Sequence, residues 1–252
     1  MEMSGPIDVL RQEGIVFLQG AASTRAEAVD IANRFGTVQD AEAVDQTLPD
    51  DPERNSDHDV VHAQVESSAQ SIAALDLHTD SSQHDVPSAL ITLYCEHSDP
   101  DGGGATTWLH VDDILNALKA NEEGRAAIEV LASATVPFVQ PNGVTPRVKW
   151  FPVFSQDAAG ATIRFTGSNI RFGVIEAEES GRPITSDVAS ALTTLQRTIR
   201  DLEPRTRALA PGDIVIIDNH RVLHGRTAIK NAAARSLWRV KLGSAEAAQG
   251  NS

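Results

Sequence analysis

The sequence predicts an α+β fold, in which runs of short strands alternate with inserted helices. Three observations carry that expectation. Ala210-Pro211-Gly212-Asp213 is a turn that opens the apolar run Ile214-Val215-Ile216-Ile217, a buried strand. Residues 87–95 are rich in β-branched and apolar side chains and read as a second strand. Along residues 186–202, Val188, Leu192, Leu195, Ile199 and Leu202 form one stripe at helical spacing, expected to pack outside a sheet.

The remaining elements follow in chain order. Residues 14–20 form an early strand, and Thr24-Arg25-Ala26-Glu27 is a capping box for a helix whose stripe is Ala28, Ile31, Ala32 and Phe35, ended by Gly36. Residues 40–59 hold eight acidic residues and two prolines with little periodicity, which predicts a loop. That loop is either a solvated excursion or a lid whose charge suits a cationic substrate. Gly102-Gly103-Gly104 lacks the lysine and strand-to-helix context of a phosphate cradle and reads as a bend delivering Thr106. Residues 112–120 and 122–133 are short helices broken near Asn121, and residues 148–154 and 161–166 are a strand pair around Asp157-Ala158-Ala159-Gly160. The last strand spans 235–242. No internal repeat is evident, and a length of 252 residues predicts one domain over 1–252.

Composition excludes several classes of partner. A net charge of −14 repels nucleic acid and anionic membrane, and no apolar run approaches membrane-spanning length. The single cysteine, Cys95, rules out an intramolecular disulfide and, at the end of an apolar strand, is expected to be buried. The N-terminal residues lack the basic and apolar regions of a signal peptide, so a cytoplasmic enzyme acting on a small molecule is expected, with room for a homo-oligomer.

The chemistry is carried by His78-Thr79-Asp80, answered far downstream by His224-Gly225-Arg226. On a strand, residues i and i+2 share a face, so His78 and Asp80 can converge on one ion while Thr79 points away. Two histidines and one carboxylate on one face of an octahedral metal leave the opposite positions open, the arrangement of non-heme Fe(II) oxygenases. Arg235, eleven residues after His224, and Arg239, fifteen after, fall on one face of the last strand with Leu237. An inward arginine is costly to bury without an anion, so these two point to a bound carboxylate. His220 reads as a loop histidine rather than a fourth ligand, and His58, His62, His97 and His110 lack partners at ligand spacing.

With these residues in place, the chain resembles the Fe(II)/2-oxoglutarate-dependent oxygenases of the taurine dioxygenase and clavaminate synthase-like group. The matching stretches are His78-Thr79-Asp80, Gly103-Gly104-Ala105-Thr106-Thr107, and Pro211-Gly212-Asp213 through His224-Gly225-Arg226 to Arg235 and Arg239. The resemblance implies a double-stranded β-helix, a jelly-roll-like barrel whose mouth holds the metal. It implies that His78, Asp80 and His224 bind Fe(II), that Arg235 clamps the distal carboxylate of 2-oxoglutarate with help from Thr106, and that Arg239 lies near cosubstrate or substrate. Dioxygen would be the oxidant, and 2-oxoglutarate would be decarboxylated to succinate and CO2. Related halogenases carry a small residue in place of the carboxylate, so Asp80 favours hydroxylation or another oxidation over chlorination.

The stretch from His78 to His84, followed by Pro87 and Leu93-Tyr94-Cys95, is similar to the amino-acid-hydroxylating branch and implies a free amino acid or a small amino-acid-derived metabolite as substrate. Gln83 and His84, just past the metal strand, are candidate pocket lining, and Arg164 and Arg171 are candidates for a substrate carboxylate. Alternatives are a taurine-type sulfonate or organic-acid dioxygenase, a noncatalytic binding barrel, and a hydrolytic zinc site, the last of which would leave two arginines without a carboxylate to neutralise them.

Overall fold

The computed structural model describes residues 5–44, 72–140 and 147–243. Thirteen strands are described: β1 (Ile15–Leu18), β2 (Thr37–Val44), β3 (Leu75–His78), β4 (Leu90–His97), β5 (Thr106–His110), β6 (Val136–Gln140), β7 (Arg147–Phe151), β8 (Phe154–Asp157), β9 (Gly160–Ile163), β10 (Arg205–Arg207), β11 (Ile214–Asp218), β12 (Val222–Arg226) and β13 (Ser236–Gly243). Helices α1 (Pro6–Glu13), α2 (Arg25–Ala32), α3 (Val111–Lys119), α4 (Glu122–Ser133), α5 (Gly167–Glu179) and α6 (Ser186–Asp201) are inserted among them.

Two antiparallel sheets face each other. One has the strand order β1-β11-β4-β13-β2, the other β10-β5-β12-β3. Between them lie Ile15, Ile91, Cys95, Val215, Ile217 and Leu237 from the first sheet, meeting Trp108 and Val222 from the second. This is the double-stranded β-helix expected from the sequence. Strand β11 is apolar at every position from Ile214 to Ile217 because it is covered twice: Val215 and Ile217 face the second sheet, while Ile214 and Ile216 pack with Leu10 and Ala28 of the outer helices. Each such side chain contributes about 1.5–3 kcal/mol on burial, which makes β11 an anchor of the fold.

The outer face of the second sheet is covered by α3, α4 and α6, whose Ile114, Leu118, Leu131, Leu192 and Leu195 join Leu109 and Leu223 in the largest core cluster. The stripe on α6 forms as expected, and Thr185 caps it by accepting from Val188 N–H. Thr24 caps α2 by accepting from Glu27 N–H, and the Glu27 carboxylate accepts from Ser23 N–H, so the box closes one residue earlier than expected.

Two expectations require correction. Residues 40–44 are strand rather than loop: they lie in β2, which pairs with β13 in the register Glu42 to Arg239. Its acidic side chains alternate with alanine and valine, and cross-strand bonding to basic residues stabilises an extended edge there. The rest of the proposed loop or lid, from residue 45, lies outside the described residues. Next, residues 148–154 do not form one strand of a hairpin. β7 pairs with β6, and the hairpin is β8 with β9, because Pro152 separates the two segments and has no N–H for a ladder. Helix α5 has no counterpart among the elements read from the sequence. Its buried side is Asn169, Ile170, Gly173 and Ala177, a stripe with little apolar signal. A Cβ on Gly173 would stand 2.3 Å from the Pro137 carbonyl oxygen, so the missing side chain is what lets α5 lie against β6.

Candidate metal centre and cleft

His78 ends β3 and His224 sits in the middle of β12, where the two are directly paired across the antiparallel ladder. Their rings stand 4.6 Å apart between centroids. Asp80 lies two residues past His78, in a turn rather than on the strand, and Ser81 after it adopts φ 57°. The convergence of side chains nevertheless occurs: Asp80 Oδ1 is 3.2 Å from His78 Nε2 and 3.9 Å from His224 Nε2. Thr79 points away, exchanging hydrogen bonds with the backbone of Phe165.

These three residues are the one group of His, Cys, Asp or Glu among the described residues whose ligand atoms, all within 4.8 Å of one another, could hold a metal ion. Their protonation suits that role. His78 Nδ1 lies 2.8 Å from the Asp76 carbonyl, which can only accept, and this bond orients the ring so that Nε2 faces Asp80 and His224. Burial, reinforced by the neighbouring His78, pushes His224 down to about 3, so it is a neutral imidazole. Burial alone would raise Asp80, but the Arg239 guanidinium and the hydrogen bond with His78 overcome it and hold the carboxyl well below its usual range. Two imidazole nitrogens and one ionised carboxylate match the donor set of a divalent, open-sided iron site.

Two residues that sequence reasoning missed hold Asp80 in place. Asn219, in the turn between β11 and β12, accepts from Asp80 N–H at 2.7 Å and donates to the Asp80 and Ser88 carbonyls at 2.9 and 2.8 Å. Asn219 is 1% exposed, and an asparagine in a turn directly after a buried strand was the available signal. The other is Glu42 on β2, which binds Arg239 and accepts from Lys241 Nζ at 3.2 Å. Arg239 in turn donates from Nη1 to Asp80 Oδ2 at 2.9 Å.

His78 and Asp80 line a cleft of about 1610 Å³ between the barrel mouth and helices α5 and α6. Of the expected pocket residues, Gln83, His84, Arg171 and Arg239 line it, and Gln83 accepts from Asn169 Nδ2. Arg164 does not line it. Its guanidinium stacks on Phe151 and donates to the carbonyls of Ser82 and His84, so it braces the segment after Asp80. Arg226, two residues past His224, is a cleft-lining buried arginine that the sequence reading passed over.

Arg235 and Thr106 lie away from the cleft walls. Arg235 is buried and lines a separate cavity of about 300 Å³, with Nη2 donating to the Gly104 carbonyl at 2.8 Å. Burial pushes its guanidinium down to about 10, so it stays charged near neutral pH. Thr106 is buried and, by strand alternation, shares the face of Trp108 that packs between the sheets. The glycine run does make the expected bend: Gly102 and Gly104 adopt φ 78° and 69°. His110 caps α3 by accepting from Asp112 N–H, and His220 stands outside the metal-ligand group. His58 and His62 lie outside the described residues. No helix among the described residues is long and apolar enough to cross a membrane.

Comparison with known proteins agrees with this geometry. Residues 7–241 match the family described as "Taurine catabolism dioxygenase TauD, TfdA family". Gamma-butyrobetaine dioxygenase of Pseudomonas sp. (strain AK-1) is 28% identical over 174 residues, covering 68% of this chain and 43% of that protein. The chain thus spans less than half the length of this curated relative. An asparagine oxygenase solved with Fe(II), 2S,3S-3-hydroxyasparagine and succinate superposes with a TM-score of 0.64 at 16% identity, over 94% of this chain and 77% of that one. The non-heme iron oxygenase OrfP, solved with Fe and alpha-ketoglutaric acid, superposes with a TM-score of 0.61 at 17% identity, over 94% and 79%. These two share the fold.

Proposed function

The chain belongs to the taurine catabolism dioxygenase TauD, TfdA family, and from that premise we propose that it is an Fe(II)/2-oxoglutarate-dependent oxygenase acting on a free amino acid or a small amino-acid-derived metabolite. The observation that carries this reading is the meeting of His78, Asp80 and His224, the first two of which line a large cleft. Iron held there supplies the oxidising power for attack on an unactivated C–H bond, coupled to conversion of 2-oxoglutarate and dioxygen to succinate and CO2.

The protein's own share is position and charge. His78 and His224 present imidazole nitrogens, and Asp80 contributes one negative charge that Arg239 keeps oriented. Arg235, with Thr106 on the barrel-interior face of β5, would hold the distal carboxylate of 2-oxoglutarate, since a buried guanidinium beside a cavity favours an anion. Gln83, His84 and Arg171 would contact the substrate from the cleft wall, and selectivity would follow from which C–H bond they bring nearest the metal. The names of the two solved relatives, an asparagine oxygenase and an oxygenase studied with hydroxyarginine, favour an amino-acid substrate. The taurine-type spacing of His224, Arg235 and Arg239 favours a sulfonate or other organic acid as second reading. We read the chain as one domain of a cytoplasmic enzyme.

Anaerobic addition of Fe(II) and then 2-oxoglutarate to the purified protein tests the assignment. A weak visible charge-transfer band is expected when the cosubstrate chelates the metal, and a folded protein without it would count against the oxygenase reading. Substrate-dependent succinate release across amino acid and sulfonate panels separates the two substrate classes.

A further inference from the structure

Arg239 and Glu42 are direct cross-strand partners in the β13–β2 ladder, so their meeting is set by backbone register rather than by chance rotamers. Each of the three guanidinium nitrogens donates to a carboxylate. Nη1 donates to Asp80 Oδ2 at 2.9 Å, and Nε, at 3.1 Å, and Nη2 both donate to Glu42 Oε1. The two oxygens of Asp80 thereby have different tasks: Oδ1 faces both imidazole nitrogens, while Oδ2 is turned away into the arginine.

We propose that Glu42 is a positioning residue for the metal carboxylate, holding Arg239 so that Asp80 offers only Oδ1 to the cation. This rests on the metal reading above and goes beyond it in giving the edge strand β2 a part in the centre's coordination geometry. A carboxylate free to swing can bind through both oxygens and fill a position that the cosubstrate and dioxygen require. A guanidinium fork anchored on one side by Glu42 removes that freedom, because its planar donors can satisfy both carboxylates in only one orientation. The Arg239 side chain is 16% exposed and that of Glu42 is 42% exposed, so Glu42 can be replaced without opening the core. Lys241 also reaches Glu42 Oε1, which keeps the carboxylate turned toward β13.

The test uses Co(II) as the probe on the full chain, with dissociation constants and visible d–d spectra recorded for the parent protein, Glu42→Ala, Glu42→Gln and His224→Ala. Glu42→Ala is expected to bind Co(II) about tenfold more weakly, in the range for residues that orient metal ligands, with a changed band shape. Glu42→Gln keeps an oxygen acceptor for Arg239 and is expected to recover most of the affinity and the parent spectrum. If the glutamine variant loses as much as alanine, Glu42 acts only as distant charge and the positioning role is overturned. An alanine variant within twofold of the parent, with unchanged bands, overturns it as well. Failure of the parent to bind Co(II), or full binding by His224→Ala, overturns the metal centre itself and is read independently of Glu42.

Discussion

A Cβ on Gly104 would lie 2.3 Å from Nε of Arg235, so the glycine is the surface on which the buried arginine rests. Gly104 also sits at φ 69°, where an L side chain costs about 1–2 kcal/mol. Gly104→Ala should therefore lower stability by about 2 kcal/mol in urea unfolding and displace the Arg235 guanidinium from the Gly104 carbonyl. If Arg235 holds the cosubstrate, anaerobic titration of the iron-loaded variant should show 2-oxoglutarate affinity reduced about tenfold, or about 1.4 kcal/mol. Parent-like affinity would remove Arg235 from the cosubstrate site.

Asn219 closes three hydrogen bonds around Asp80 and Ser88 in a buried turn. Asn219→Ala strands those backbone groups at about 1–3 kcal/mol each before relaxation. A net loss of about 3 kcal/mol is expected, together with weaker Co(II) binding because Asp80 loses its anchor. Retention of both parent values would mean that the turn is held by other contacts.

The metal-free protein should lose stability on acidification in two windows. His224 titrates near about 3 when folded and near about 6.5 when unfolded. Between these values the unfolded chain takes a proton that the folded chain refuses, so stability falls as pH drops, at up to about 1.4 kcal/mol per pH unit. Asp80 adds stability above the ordinary carboxylate range, which is lost as pH falls through its lower folded value. Urea midpoints measured for the parent and His224→Gln between neutral and mildly acid pH check the first window. An equal slope in both would contradict it.

Cys95 should be inert. Burial, with Asp213 and Glu96 nearby, pushes its thiol up to about 12, and Sγ lies 3.6 Å from the Leu209 carbonyl. Iodoacetamide at mildly alkaline pH should leave native protein unlabelled over a period in which urea-unfolded protein reacts fully, as mass spectrometry would show. Rapid native labelling would point to local opening of β4.

The parts legible in the sequence were those with dense local signal. β11 announced itself by four consecutive apolar residues after a Pro-Gly turn, α6 by its stripe, and the triad by two histidines and a carboxylate in order. Helix α5 was hidden because its buried side uses Asn169, Gly173 and Ala177, chosen for close approach to β6 rather than for oiliness. β2 was hidden because Asp40 and Glu42 look like loop residues until β13 supplies their cations. The same holds at the site. Arg239 could be placed on the inward face from period two, but its partners Asp80 and Glu42 come from a turn and a strand far away in sequence, and no local pattern encodes that meeting.

The hydrogen bond from Asp80 to Asn219 joins residues 139 positions apart, and the ladder pairing of His78 with His224 spans a still longer stretch. Closing so long a loop is entropically unfavourable until most of the barrel has assembled. A cation held by these ligands would therefore find them only in the finished molecule and act as a late rivet rather than a seed for folding. By mass action a metal at one hundred times its dissociation constant would add about 2.7 kcal/mol to the native state, so heating the chain in the presence and absence of a chelator would reveal occupancy without any knowledge of the substrate.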